Sequence, residues 1–257
     1  MARIITVTNQ KGGVGKTTTA HLLSSGLKAR GFRTLLIDLD PQSNLTFTMG
    51  ADDSHYTLYD LFKGNAEPQQ AIKSTVQGDI IPGSLLLSGA DMEYTQTGRE
   101  YILSEIIEPL KESYDFVIID TPPALGILTV NALTASNSVI IPMGADIYSI
   151  QGLSQLYNLV CNVKRYTNKE LSIDGLFLTR YNKRATISKD IYAELEQLAS
   201  KLGTKLFKSV IREGVAIKRS QADQTNIFIS EPKAGVTIDF NNFIDEYLEE
   251  KRGLVNE

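Results

Sequence analysis

An apolar run at residues 4–8, IITVT, leads into a glycine-rich loop, KGGVGKTT (11–18), and a helical pattern follows. Few features restrict a fold as tightly. A strand must stop, the chain must turn around a small space, and a helix must begin there with its free N–H groups facing inward. The glycines permit backbone turns that a Cβ would oppose. A glycine, four residues and then Gly-Lys-Ser/Thr is the phosphate-loop pattern. Gly15-Lys16-Thr17 supplies its second half, but Gln10 stands where the first glycine belongs and Lys11 follows it. The loop therefore carries two lysines where a phosphate cradle needs one.

The residue types in the loop suit a nucleotide. Gly12, Gly13, Val14 and Gly15 turn N–H groups around phosphate oxygens, and Thr18 follows in the first helical turn. Lys16 is placed to reach the β- and γ-phosphates, and the Thr17 hydroxyl to ligate Mg²⁺, a hard cation that takes oxygen ligands. Three aspartates end apolar runs: Asp38 and Asp40 in LLIDLDPQSN, and Asp120 in FVIIDTPP. Open α/β sheets bind ligands at the carboxyl ends of their strands. Asp40 is a candidate for orienting or deprotonating an attacking water. Asp38 is a candidate for hydrogen-bonding Mg²⁺-bound waters, and Asp120 for the second Mg²⁺ anchor. The competing reading is that each caps its turn, which aspartate does well.

Strand candidates recur at 34–38, 116–119, 138–142 and 176–179, and 18–29 has helical spacing that Gly31 ends. Near-continuous apolar strands fit a parallel sheet buried on both faces. Alternation with helices predicts an α/β fold with a doubly wound, mostly parallel sheet flanked by helices. Residues 50–95 are less regular and predict short helices and a hairpin at the sheet edge. With 42% hydrophobic residues and no linker-like segment, 257 residues read as a single domain, 1–257. No apolar run reaches membrane-spanning length, and the first residues lack a signal-peptide core. One cysteine, Cys161, excludes a disulfide framework; it reads as a small buried hydrophobe. A cytoplasmic protein is expected.

KGGVGKTTT, LIDLDPQSN and IIDTPPALGILTVNAL, with IPMGADIYSIQGLSQL and LTRYNKR further on, resemble the ParA/Soj branch of the deviant Walker-A ATPases. The likeness runs from residue 1 to about 215. It implies an ATP- and Mg²⁺-dependent sandwich homodimer in which Lys11 crosses to the partner's phosphates and Asp40 is needed for hydrolysis. It further implies sequence-independent DNA binding by the ATP dimer, nucleoid association, and stimulation by a ParB-type centromere-binding partner. Asn182, and the loop after Ile211 that begins at Arg212, should border the adenine. The family's proline after that isoleucine is replaced by Arg212. A charge argument supports the trans role of Lys11. Lys16 and Mg²⁺ already serve the phosphates from their own subunit, so further transition-state stabilisation must come from outside, as an arginine finger does elsewhere.

Net charge is −4, yet residues 180–219 hold ten Lys/Arg against four Asp/Glu. Lys183, Arg184, Lys189, Lys208, Arg212, Lys218 and Arg219 are the candidate DNA contacts. A solvated basic face is the competing reading. The chain begins at its first strand, so no operator-binding helix-turn-helix is expected ahead of it. A MinD-like membrane-cycling ATPase is the alternative. The acidic end EYLEEKRGLVNE argues against membrane contact, since anionic lipid would repel it. The apolar stripe of 239–251 reads as core. An electron-transfer ATPase would need cluster-ligating cysteines that one Cys161 does not provide. A small-molecule kinase or ligase on the same loop is a further alternative.

Overall fold

The computed structural model describes residues 1–52 and 55–255. β1 (Arg3–Val7), β2 (Thr34–Asp38), β3 (Lys73–Thr75), β4 (Gly78–Ile81), β5 (Phe116–Asp120), β6 (Ser138–Gly144), β7 (Ser172–Thr179) and β8 (Leu206–Val210) form one sheet. Its order is β3-β4-β2-β5-β1-β6-β7-β8. Every neighbouring pair is parallel except the β3–β4 hairpin at one edge. The sheet alternates with helices α1 (Lys16–Ala29), α2 (Asn44–Thr48), α3 (Leu58–Phe62), α4 (Ala90–Glu93), α5 (Ile102–Ile107), α6 (Ile127–Ala135), α7 (Ile147–Tyr166) and α8 (Thr186–Lys201). Helices α9 (Val215–Ala222), α10 (Ile227–Ser230) and α11 (Gly235–Val255) complete the chain.

The doubly wound reading holds because the strands bury both faces. Alternate side chains leave a strand on opposite sides. Ile4, Leu35, Ile37, Val117 and Ile119 enter one core with α3, α5 and α6. Ile5, Leu36, Phe116 and Ile118 enter another, beneath α1 and α11. A third core joins β6 and β7 to α7 and α8. The irregular stretch contains the expected short helices and edge hairpin.

α11 buries Phe240, Phe243, Ile244 and Tyr247, so the stripe of 239–251 is core, as its spacing predicts. Phe243 stacks on Phe177 at 3.9 Å between centroids and meets Phe207 edge-on at 5.0 Å. A polar knot fixes this helix to the sheet. Tyr247 Oη donates to Asp174 (3.1 Å) and accepts from Arg3 Nε (3.0 Å), while Ser138 Oγ donates to Asp174 (2.7 Å). Burial pushes the Tyr247 phenol up, so it stays a donor.

Two details depart from the sequence reading. β8 went unmarked because only Leu206 and Phe207 of its five residues are buried and Lys208 is exposed. Cys161 is exposed on α7, not buried. The inward stripe of that helix runs through Leu153, Leu156, Val160 and Val163, which leaves Cys161 just outside it. Phe243→Ala should cost about 3–5 kcal/mol of stability in urea unfolding. A loss below about 1 kcal/mol would mean that the aromatic cluster does not anchor α11.

Candidate nucleotide-binding site

Register builds the site. Val7 pairs with Asp120 across β1 and β5, and Asp120 pairs with Asp38 across β5 and β2. Three strand ends therefore share one rung, where β1 opens into the loop. Asn9 fixes the entry: its Nδ2 donates to Pro142 O (2.7 Å) and its Oδ1 accepts from Lys11 N (2.9 Å). Thr179, at the end of β7, donates to Val14 O (2.8 Å) and holds the loop's far side. Gly13 and Gly15 take φ of 73° and 88°, where a side chain would strain the backbone. Gly15 caps α1, and that helix's free first-turn N–H groups face the space above the sheet.

Charge is out of balance there. Lys16 is 7% exposed and Asp40 8%, while Asp38 and Asp120 are wholly buried. Among the described residues, neither oxygen of Asp120 has a full hydrogen-bond partner. Burial and then the neighbouring Asp38 push the Asp120 carboxyl well up; the nearby Thr17 hydroxyl and Lys16 oppose this only in part. Burial also raises Asp38, to about 6, against hydrogen bonds from Thr46. Burial lowers the Lys16 ammonium, which Asp120 and Asp40 counteract. Bare buried carboxylates beside a hydroxyl are what a divalent cation satisfies, so Asp120 and Thr17 fit Mg²⁺.

Asp38 has a second job. Its Oδ2 accepts from Thr46 N (2.8 Å) and Thr46 Oγ1 (2.7 Å), and its Oδ1 from Asp40 N (3.2 Å). It thereby clamps α2 to the sheet and shapes the loop that carries Asp40. Asp40 Oδ1 accepts from Gln42 N (3.0 Å), the turn cap anticipated for it, yet the residue also lines the cleft. Lys11 pairs with Asp146, the N-cap of α7, within its own subunit. His21 is buried, against Gln77 at 2.8 Å, and burial lowers it to about 4, so it stays neutral.

Two cavities flank α1's first turn. One of about 660 Å³ is lined by Gly12, Gly13, Gly15, Lys16, Thr17, Thr18 and Asp40. The other, about 300 Å³, reaches Ile211, Arg212, Gly214, Lys218 and Phe240. Asn182 lines an adjoining cavity instead, and its Oδ1 accepts from Arg184 N (3.0 Å). Arg180, Arg212 and Glu213 border both of the last two.

Six of the seven basic candidates, all but Arg219, line three adjoining concavities that share residues. Lys183, Lys189 and Lys208 surround Tyr181 and Tyr192 in a shallow concavity, with Arg184 in the adjoining cavity. Lys218 lies beside the phosphate loop. Arg212 is ion-paired to Asp239 at 2.7 Å, and Arg219 to Glu231. Sequence reading missed Asn9, Asp146, Thr179 and Gln221, which have partners distant in the chain, and Thr46, whose partner Asp38 is eight positions away but whose residue type carries no motif.

A polyphosphate with a divalent cation fits this charge pattern, and the class follows: a P-loop nucleotide-binding α/β protein. A family profile described as an AAA domain matches residues 2–173. The sporulation initiation inhibitor protein Soj of Bacillus subtilis is 39% identical, covering 91% of this chain and 93% of Soj. Cobyrinic acid a,c-diamide synthase from Mycobacterium smegmatis, solved with ADP and magnesium, is 33% identical at TM-score 0.85, covering 98% and 96% of the two chains. A putative plasmid partition protein of Borrelia burgdorferi bound to AMPPNP is 26% identical at TM-score 0.83, covering 97% and 100%. The chain belongs to the ParA/Soj family of deviant Walker-A P-loop ATPases.

The raised carboxyls give a signed expectation. A native state that holds a proton more tightly than the unfolded chain loses stability as pH rises through the native pKa. Without ligand, the protein should therefore weaken as pH rises from about 4 to about 6, between the ordinary carboxyl value and the Asp38 value of about 6. Asp120→Asn should raise the ligand-free Tm by ~2–4 °C at pH 8, by less at pH 5, and abolish stabilisation by Mg²⁺-ATP. A lower Tm at pH 8 would show that Asp120 is satisfied without a cation.

Proposed function

We propose that this chain is an ATP-dependent DNA partition ATPase. Mg²⁺-ATP joins two copies face to face, the ATP dimer binds DNA without sequence preference, and hydrolysis releases it. The observation that carries this reading is the pair Lys11-Gly12. Lys16 already lines the phosphate cradle, so Lys11 is surplus to a single subunit. Within that subunit a Cβ at Gly12 would meet nothing within 4 Å, and its φ is not in the left-handed region. Nothing in one chain requires glycine there; a second loop facing it would.

Residue roles follow from the site. Thr17 and Asp120 hold Mg²⁺, with Asp38 behind them. When bound, the ion neutralises phosphate charge. The loop N–H groups and Lys16 bind the β- and γ-phosphates. Asp40 orients the water, and Lys11 exchanges Asp146 for the partner's phosphates. The nucleoside lies toward Ile211 and Arg212, with Asn182 at its border. Lys183, Arg184, Lys189 and Lys208 meet DNA phosphates; Lys218, and Arg212 and Arg219 once released from their carboxylates, add to them. Hydrolysis is slow until a ParB-type partner stimulates it. The protein works in the cytoplasm on the nucleoid.

Against the membrane-cycling alternative stands the burial of Phe240, Phe243, Ile244 and Tyr247 of α11, an apolar stripe that a membrane-bound helix would expose. Among the described residues no helix is long and apolar enough to cross a membrane. The ligase alternative, raised again by the mycobacterial synthase, requires a second substrate; phosphate release measured without one would disfavour it.

DNA binding should be strong with ATP, weak with ADP or no nucleotide, and steeply lowered by salt. Equal binding in all three states would break the coupling. Gly12→Val should bind ATP yet sediment as a monomer; a normal dimer would refute the face-to-face arrangement.

A further inference from the structure

α9 is weakly held. Of its eight residues only Ser220 is buried, and its main packing partner is α10. Two glutamines tie it to the nucleotide edge. Gln221 Nε2 donates to Thr18 Oγ1 at 3.2 Å, across 203 positions of sequence. Gln224, in a left-handed conformation with φ 51°, donates to Phe47 O at 2.9 Å. Phe47 belongs to α2, which follows the Asp40 loop.

Gln221 also stands at a boundary. It lines both the 660 Å³ cavity on the phosphate side and the 300 Å³ cavity that runs to Ile211. Its amide and the Thr18 hydroxyl meet where those cavities adjoin. A nucleoside triphosphate has to occupy both, with its ribose and α-phosphate crossing between them. It therefore meets this hydrogen bond and competes for both partners. The Thr18 hydroxyl is in α1's first turn, a donor aimed at phosphate, and the amide is a donor suited to a phosphate or ribose oxygen.

We infer that Gln221 is a positioning residue that senses the nucleotide at this junction and passes its occupancy to α9. This rests on the ATP-site reading above. Without nucleotide, the Gln221–Thr18 bond holds α9 against α1. With nucleotide, Thr18 turns to the α-phosphate and the amide follows to the ligand, so α9 changes its seat. The helix carries Lys218 and Arg219, so the shift re-aims two cations of the basic group. It also loads the Arg219–Glu231 pair, which ties α9 to the segment after α10.

Hydrogen–deuterium exchange of residues 213–224, with and without Mg²⁺-ATPγS, tests this alongside calorimetric ATPγS binding. The wild type should change its exchange there when nucleotide binds. Gln221→Ala should exchange faster without nucleotide and respond little to it even at ATPγS concentrations that calorimetry shows to be saturating for that variant. Gln221→Glu keeps a partner for the Thr18 hydroxyl but sets a carboxylate against phosphate, so its affinity should fall about tenfold or more. A wild-type exchange response in Gln221→Ala, or wild-type affinity in Gln221→Glu, overturns the inference. If the wild type itself binds no ATPγS, the ATP-site reading falls with it.

Discussion

The parallel register of β1, β5 and β2 is the constraint on which the rest depends. Because Val7, Asp120 and Asp38 share a rung, the end of the first strand and two buried carboxylates arrive together. A one-residue slip would turn each side chain to the other face of the sheet. The loop would then open away from its acids. The two cores that flank the sheet oppose such a slip, since Ile4 and Ile5 serve opposite faces.

What the rung assembles is costly in a single empty subunit. Asp120 sits buried without a full hydrogen bond, and Lys16 answers only part of the nearby negative charge. A site of this kind is organised for a cation and a polyphosphate before either arrives, which is how electrostatic preorganisation works. Asp38 shows how the fold tolerates the arrangement. It spends both oxygens on Thr46 and Asp40, so one buried acid also holds the loop that bears a catalytic candidate.

The sheet was legible in the sequence because its strands are short apolar runs between helical patterns, and the loop because its glycines and lysines lie adjacent. Those signals are local. β8 escaped because it is a half-buried strand interrupted by Lys208. Cys161 was misplaced because residue type says less than position on the helix. The basic group was legible as composition, but its ion pairs were not. Arg212 and Arg219 are neutralised by Asp239 and Glu231, which lie 27 and 12 positions away. Gln221 carried no signal at all, since its meaning comes from a contact across most of the chain.

In the proposed dimer, Lys11 is the point at which one subunit stops being sufficient. Its own chain gives it Asp146, a half-buried surface pairing worth little in water. Opposite a partner's phosphates it would meet far greater charge. Mixing Lys11→Ala with Asp40→Ala protein tests that exchange. If Lys11 acts across the interface, a mixed dimer holds one complete site: the Lys11→Ala subunit's Asp40 with Lys11 from its partner. Each variant alone should be inactive and the mixture should hydrolyse ATP. A mixture that forms dimers but stays inactive would contradict the account.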